Sequence, residues 1–198
     1  MTVLVEHLAT ESAQRRYLDT AQRNIDGFSV RAAHDEEALR RRVTFLLPQS
    51  PDGGLIATNY LGAIEDGQLR GGAMIHAEYG HAVDLLASGD PAWTQERIAA
   101  LLQSRRTLSG LFVDEGLRGR GIGSALVTAA IERARQEGAR WLTGFMDEGN
   151  GSPDFYAARG FTMQAPNQPL PRLAPAFLPE LHPRSLRGSW FYMDLDAA

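Results

Sequence analysis

The chain has 198 residues, of which 43% are hydrophobic and 22% charged, a composition that predicts one globular domain with a sizeable core. Its 20 Lys and Arg against 24 Asp and Glu give a net charge of -4, so no basic surface favours nucleic acid, and the acidic balance mildly favours cationic substrates. The absence of cysteine excludes disulfides, thiolate metal ligands and a cysteine nucleophile.

Two further classes of protein are disfavoured by the sequence. The five histidines are scattered, and none shows the HExxH spacing of a helical zinc site, so no metal is expected. The N-terminal MTVLVEHLATES lacks the basic start of a signal peptide, and no apolar run approaches the length of a membrane span. We therefore expect a cytoplasmic protein that does not bind a membrane.

The first quarter of the chain predicts a helix, a strand and a second helix. Apolar residues at helical spacing among charges predict a helix over residues 11–26, which ends near Gly27. The alternating pattern of FSVRAA predicts a strand over 28–33. The segment HDEEALRRRVTFLL predicts a helix over 34–47, because acids occupy its first turn and Pro48 follows it.

A hairpin and a helix follow. Residues 55–79 contain two β-rich runs around Glu65-Asp66-Gly67-Gln68, where Asp-Gly supplies the positive φ that a tight turn requires. The segment DPAWTQERIAALLQSRR predicts a helix at about 91–105, with Asp90 as its N-cap and Pro91 at its first position.

The second half alternates strands and helices before a proline-rich segment at 165–188. The predicted strands are TLSGLFV (107–113), WLTGFM (141–146), a strand start at FTMQ (161–164) and SWFYMDL (189–195). The predicted helices are SALVTAAIERARQEG (124–138), which Gly138 ends, and the short PDFYAARG (153–160).

Three glycines alternate with other residues in GLRGRGIG, residues 116–123, directly before the helix at 124–138. Glycines let the backbone approach a ligand closely, and the start of a helix offers unpaired N–H groups and a partial positive charge. The segment therefore predicts an anion site, with phosphate the expected ligand. It matches neither the Walker A spacing nor the GxGxxG fingerprint, which disfavours a nucleotide-binding domain.

Two motifs give the chain a resemblance to a known family. Arg118-x-x-Gly121-x-Gly123, after the strand LFV and an acidic turn, resembles the pyrophosphate-binding motif of the GNAT (Gcn5-related N-acetyltransferase) superfamily. GNGSPDFYAARGF, residues 149–161, is similar to the family's second motif, N-x-x-A-x-x-F-Y-x-x-x-G-F, with Asn150 displaced by one position. The resemblance extends over 28–195 and implies an α/β (α+β) fold with a mixed, mostly antiparallel central sheet flanked by helices.

The resemblance also implies an activity and a set of binding residues. The protein would transfer an acetyl group from acetyl-CoA to a primary amine of a small molecule or a protein. The backbone of one strand end would pair with the pantetheine arm, and the glycine loop would hold the pyrophosphate. The implied cofactor-binding residues are Leu111, Phe112, Val113, Arg118, Gly119, Arg120, Gly121, Ile122, Gly123, Ser124, Asn150 and Tyr156.

The resemblance implies Tyr156 as the acid that assists the leaving thiolate, but it leaves the base open. The family often places a glutamate on the strand before the loop, and TLSGLFV contains no acid. Glu78 and His76 on the preceding strand, or an ordered water, are the alternatives, and Glu78 is preferred. Alternation places His76 and Glu78 on one sheet face without deciding which face lines the cleft.

The expected organisation is a single domain over 1–198 with an N-terminal helical extension, about 1–27, and a proline-rich insertion, about 165–188. The apolar residues of the insertion predict a lid or a dimer contact, so the protein is expected to be a monomer or a homodimer. An alternative function is a catalytically weak GNAT fold that holds acyl-CoA as a sensor or scaffold, favoured by the missing strand glutamate and the displaced Asn150.

Overall fold

The structure, a computed structural model, describes residues 3–25, 28, 38–39, 41, 58–147, 153–171, 173 and 188–197. The strand predicted over 28–33 and the helix predicted over 34–47 therefore fall almost wholly outside the described residues. Asn150 and the greater part of the insertion at 165–188 fall outside them as well.

The described strands are β1 (Leu4–His7), β2 (Asn59–Glu65), β3 (Gln68–His76), β4 (Arg105–Val113), β5 (Trp141–Asp147), β6 (Thr162–Met163) and β7 (Gly188–Asp194). They form one sheet in the order β1-β2-β3-β4-β5-β7-β6. Neighbouring strands run antiparallel except for β4 and β5, which are parallel. This arrangement confirms the mixed, mostly antiparallel sheet predicted from the sequence.

The described helices are α1 (Glu11–Asn24), α2 (Tyr79–Ala87), α3 (Gln95–Ser104), α4 (Ile122–Gln136) and α5 (Pro153–Ala157), with a 3-10 turn at Glu115–Leu117. Helix α4 packs on one face of the sheet, where its Leu126 joins Leu108 and Leu142 in the main core cluster. Helix α1 packs on the opposite face through Tyr17, and α3 packs on that face through Leu101. The helices thus flank the sheet on both sides.

The predicted hairpin is present, and its turn has the expected chemistry. Strands β2 and β3 pair through Glu65 and Gln68, which flank a two-residue turn. Asp66 has φ 51° and Gly67 has φ 73°, so both central positions are left-handed. That geometry matches the right-handed twist of the flanking strands, which explains why Asp-Gly was informative.

Helix α3 begins later than predicted. Its N-cap is Thr94, whose hydroxyl accepts from the backbone N–H of Arg97 at 3.4 Å. Asp90 instead accepts from the N–H of Ala92 at 2.8 Å and closes a turn around Pro91. The prediction of Asp90 as the N-cap was wrong because a short polar side chain can cap a turn as well as a helix.

The parallel pair β4–β5 is short, and its shortness shapes the sheet. The two strands pair from Arg105 with Trp141 to Thr107 with Thr143. Beyond that point β4 continues against β3, and β5 continues against β7. The strands therefore part toward their carboxyl ends and leave an opening, which we call the notch, between residues 108–113 of β4 and 144–147 of β5.

Candidate active site

The glycine loop lies where β4 gives way to α4. Gly119 has φ 78° and Gly121, the N-cap of α4, has φ 83°. Arg120 between them has no positive φ, because Asp66 and Asn167 are the described non-glycine residues with that conformation. When residues with negative and positive φ alternate, their successive backbone N–H groups point to the same side and form a concave site that binds anions. The loop therefore has the geometry of a phosphate cradle.

The start of α4 adds donors to this cradle. No side chain caps the helix, and the first helical hydrogen bond runs from the N–H of Ala125 to the carbonyl of Gly121 at 3.0 Å. The N–H groups of residues 122–124 precede that bond, so they have no acceptor within the helix. They carry the positive end of the helix dipole, which favours an anionic ligand.

The backbone of the loop is open on one side. A Cβ added to Gly119 or to Gly121 would meet no atom within 4 Å. A Cβ added to Gly123 would lie 3.3 Å from the ring of Phe155, which closes one side. Bare backbone therefore borders open space at the two left-handed glycines, as close approach to a phosphate requires.

Two arginines of the loop have different surroundings. The Nε of Arg118 donates to the carbonyl of Val113 at 3.4 Å, and the side chain is otherwise exposed. The Nη2 of Arg120 lies 3.4 Å from the carboxylate of Glu65, a buried residue at the β2–β3 turn. Arg120 is thus attached to the hairpin, whereas Arg118 extends toward solvent beside the cradle.

Arg159 is a further basic residue at the loop that the sequence analysis missed. Its guanidinium lies over the ring of Phe155, 3.6 Å from the centroid, and donates to the hydroxyl of Ser124. A second hydrogen bond runs to the carbonyl of Phe155. The position was visible as a base directly before Gly160 in the second motif, but its contact with the loop depends on the fold.

Tyr156 lies on α5, against the face of the sheet that α4 covers. Its ring stacks on Phe191 at 4.0 Å between centroids and meets Phe161 edge to face at 5.9 Å. Burial raises the pKa of Tyr156 to about 12, with Arg159 opposing the shift. The phenol therefore remains protonated and can act as a hydrogen-bond donor at ordinary pH.

On the opposite face of the sheet, several buried polar side chains form a cluster at the base of the notch, where β4 and β5 separate. His76 pairs with Thr107, and Thr107 pairs with Thr143, so the three side chains form one row across β3, β4 and β5. The hydroxyl of Thr107 donates to the carboxylate of Glu78, and its oxygen lies 3.3 Å from that of Thr143. Glu78 follows β3 as the N-cap residue of α2.

These contacts show on which face of the sheet each predicted catalytic residue lies. His76 and Glu78 lie on the side of α1, α2 and α3, and each is less than one-tenth exposed. Gly72 lies on the same side, since a Cβ there would lie 2.7 Å from the ring of Tyr17 in α1. The glycine loop and Tyr156 lie on the α4 side. The two predicted catalytic residues are therefore on opposite faces, with the notch between them.

His81 interacts electrostatically with Glu78 of this polar cluster. The sequence did not predict this role. His81 lies in the first turn of α2, three residues after Glu78. Burial and the nearby Arg105 lower the pKa of His81 below its usual value, while Glu78 and Asp84 oppose the shift. The imidazole is therefore neutral at physiological pH. Its helical spacing from Glu78 becomes visible only once α2 is known to begin at Tyr79.

The predicted cofactor strand lies along one side of the notch. Leu111 and Val113 pack against the main core cluster on the α4 side, and Phe112 is buried with Tyr17 on the other side. Strand alternation explains the division. The structure thus brings this strand, the glycine loop and Tyr156 together around one end of α4, while Asn150 lies outside the described residues.

Sequence comparison identifies the family of the chain. The profile of the Acetyltransferase (GNAT) family matches residues 29–161. The chain belongs to the GNAT acetyltransferase family, a class of acyltransferases. No curated protein gives a significant match to the chain.

Solved structures share the fold at low identity. A candidate acetyltransferase of the GNAT family from Desulfovibrio desulfuricans has 14% identity and a TM-score of 0.57, covering 98% of this chain and 99% of that one. The ribosomal-protein-S18-alanine N-acetyltransferase of Escherichia coli has 13% identity and a TM-score of 0.56, covering 98% and 94%. The candidate acetyltransferase yncA of Salmonella typhimurium, solved with its cofactor acetyl-CoA, has 16% identity and a TM-score of 0.53, covering 99% and 95%.

Two other features are absent from the described part of the chain. None of its helices is long and apolar enough to cross a membrane. Its His, Asp and Glu side chains form no group of three or more that could hold a metal ion.

Proposed function

We propose that this protein is an acetyl-CoA-dependent N-acetyltransferase that acetylates a primary amine of a small molecule or a protein. One observation carries the proposal: a buried carboxylate, Glu78, and a half-buried phenol, Tyr156, lie on opposite faces of the sheet on either side of the notch. An amine and a thioester that meet in the notch would have a proton acceptor on one side and a hydrogen-bond donor on the other.

The cofactor side is assigned to the α4 face. Acetyl-CoA supplies the acetyl group as a thioester. The left-handed glycines and the N–H groups at the start of α4 would hold its pyrophosphate, with Arg118 and Arg159 as neighbouring cations. The backbone of residues 111–113 would align the pantetheine arm in the manner of an added strand.

The amine side is assigned to the face of α1, α2 and α3. A protonated amine is attracted to the carboxylate of Glu78, and the net charge of -4 favours a cationic acceptor. The amine loses one proton to Glu78, directly or through water. Its nitrogen then forms a bond to the acetyl carbon while the carbon–sulfur bond breaks. The nitrogen loses its second proton to water, and the thiolate gains a proton from water, which gives a neutral acetamide and CoA thiol.

Tyr156 would stabilise the sulfur that leaves. Its pKa of about 12 lies above the value of about 8.5 that is typical of a thiol, so complete proton transfer from the phenol is unfavourable. A hydrogen bond to the developing thiolate is the contribution that the phenol can make, and the sulfur then takes its proton from water. Structural neighbours named as N-acetyltransferases support an amine as the acceptor.

Release of CoA thiol from acetyl-CoA in the presence of a panel of amines tests the proposal. The Tyr156→Phe variant keeps the ring stacked on Phe191 and loses the donor, so acetyl-CoA should bind as in the wild type. We expect kcat and kcat/KM to fall by about 10²-fold, the lower end of general-acid contributions. The Glu78→Gln variant, measured alongside, should lose activity most strongly at low pH.

The pH profile gives a second criterion. Because burial raises the pKa of Tyr156 to about 12, the donor persists through the alkaline range, and any fall in kcat below that pH should remain in Tyr156→Phe. Wild-type turnover by Tyr156→Phe would reduce Tyr156 to a packing residue. Tight binding of acetyl-CoA with no amine acetylated would replace the enzyme by the sensor or scaffold.

A further inference from the structure

Glu78 takes a proton from the amine in the proposed function, but its position gives it little contact with solvent. The residue is 7% exposed, and its carboxylate accepts a hydrogen bond from the hydroxyl of Thr107. A proton held on this carboxylate has to leave before Glu78 can deprotonate the next amine. The proposed chemistry therefore requires a route for protons from Glu78 to bulk solvent.

Helix α2 places an imidazole beside Glu78. Glu78 is the N-cap residue of α2, and its carbonyl accepts from the N–H of Ala82 at 3.0 Å, which closes the first turn. His81 is the third residue of that helix. Side chains at the N-cap and at the third helical position can reach each other, which is the geometry that a capping box uses. The carboxylate of Glu78 acts electrostatically on the imidazole, as a neighbouring group does.

Asp84 continues this row of side chains toward the surface. It follows His81 by three residues, the spacing at which helix side chains are neighbours, and its carboxylate also acts on the imidazole. Exposure increases along the row, because Glu78 is buried, His81 is half-buried and Asp84 is exposed. A carboxylate, an imidazole and a second carboxylate thus follow one another from the polar cluster at the notch to solvent.

The surroundings of His81 suit a group that gains and loses protons. Burial and the guanidinium of Arg105 on β4 lower the pKa of His81, and the two carboxylates oppose the shift. Helix α3 meets α2 through the apolar side chains of Ile98 and Leu102. Among the residues that the structure describes, none forms a hydrogen bond with the buried Nε2 of His81. The imidazole is therefore neutral at physiological pH, and this nitrogen is not engaged in a structural contact.

We infer that His81 is a proton relay, which takes the amine proton from Glu78 and releases it to Asp84 or to water at the surface. The inference rests on the proposed function. In each turnover the imidazole gains one proton from Glu78 and loses one outward, so Glu78 returns to the carboxylate and His81 to the neutral ring. His81 acts through Glu78 and does not contact the amine. Helix α2 lies between β3 and β4, apart from the glycine loop, so acetyl-CoA binding should not depend on the relay.

Steady-state kinetics with and without added imidazole separate a relay from a structural role. The His81→Gln variant keeps a polar side chain and loses the titrating ring. We expect kcat for an amine that the wild type acetylates to fall about 5–20-fold, less than the loss of a whole general base because water can carry part of the proton flow. KM for acetyl-CoA should stay unchanged. Added imidazole should restore kcat in proportion to its concentration, because the free base carries the proton in place of the side chain.

A matched control and a second measurement complete the test. His7→Gln replaces an exposed histidine on β1 and should leave kcat unchanged, with and without imidazole. The pKa of His81, followed by NMR through its imidazole resonances, needs neither a His81 variant nor activity. Both carboxylates raise this pKa, so Glu78→Gln and Asp84→Asn should each lower it further.

Three results would overturn the inference. They are an unchanged kcat in His81→Gln, a loss of kcat that imidazole does not restore, and a pKa of His81 that responds to neither Glu78→Gln nor Asp84→Asn. A wild type that acetylates no amine of the panel would overturn the proposed function instead.

Discussion

The two ends of helix α4 use the same backbone conformation for opposite purposes. Gly121 precedes the helix with φ 83°, and Gly138 follows it with φ 71°. A Cβ at either glycine would meet nothing within 4 Å. The two positions are thus alike in strain and in local space, and they differ in what the helix end around them contacts.

The C-terminal end makes several hydrogen bonds with protein groups. The Glu137 carboxylate accepts from Arg106 at 2.7 Å, Asn59 at 2.7 Å and Arg133 at 3.0 Å. The N–H of Gly138 donates to the carbonyl of Arg135 at 2.9 Å. No side chain caps the N-terminal end. A helix end that a protein needs only for stability is capped, and one that binds an anion keeps its donors available.

The largest expected effect concerns the capped end. Arg106 is fully buried, so Glu137→Ala leaves its charge without this carboxylate and should lower the free energy of unfolding by about 3–5 kcal/mol. Urea unfolding measures the loss, and the affinity for acetyl-CoA of the folded fraction should stay near that of the wild type. Glu11→Ala removes an exposed ion pair with Arg15 and an acid from the first turn of α1, and it serves as the control, with a loss below about 1 kcal/mol. A similar loss in both variants would contradict the comparison.

The next effect compares the two glycines directly. Gly121→Val and Gly138→Val place the same branched side chain at a left-handed position, so each should lose about 1–3 kcal/mol of stability through strain. Gly121→Val should also weaken acetyl-CoA binding at least tenfold, about 1.4 kcal/mol, because the side chain occupies the space that the phosphate needs. Calorimetric titration with acetyl-CoA measures the affinities of the two folded variants. Equal affinities would show that the uncapped end of α4 is not the phosphate site.

The smallest effect distinguishes the two arginines of the loop. Arg120 lies beside the carboxylate of Glu65, which reduces the charge that it presents to a ligand. We expect Arg120→Gln to weaken acetyl-CoA about 2–3-fold, less than 1 kcal/mol, and Arg118→Gln to weaken it more. Titrations at two salt concentrations should show the steeper salt dependence for the arginine that contacts phosphate. The reverse order would make Arg120 the main phosphate ligand.

Local signals explain most of what the sequence predicted of the fold. The Asp66-Gly67 turn and the helix that ends before Gly138 both depend on residues within a few positions of the element itself. Two elements were not predicted because their residues carry no such local signal. Strand β1 has four mostly exposed residues with little pattern. Helix α2 begins at Tyr79, shortly after β3, and its N-cap residue, Glu78, makes no side-chain capping bond.

The candidate site divides in the same way. The glycine loop and Tyr156 belong to short motifs, so they could be identified from contiguous residues. The contact of Glu78 with Thr107 joins distant parts of the chain, and it follows from which strands lie side by side. No periodicity within one segment contains that information, so neither the faces of the sheet nor the position of Glu78 at the notch could be predicted.

The strand order near the C-terminal side has a consequence for how the protein assembles as it is synthesised. Strand β7 lies between β5 and β6, so one edge of β5 stays unpaired until residues 188–194 have been synthesised. Until then the Trp141–Asp147 segment presents an open, largely apolar edge, the kind of surface that pairs with other chains. Pairing of β7 with β5 therefore completes the sheet. It also covers the edge through which the nascent chain could aggregate.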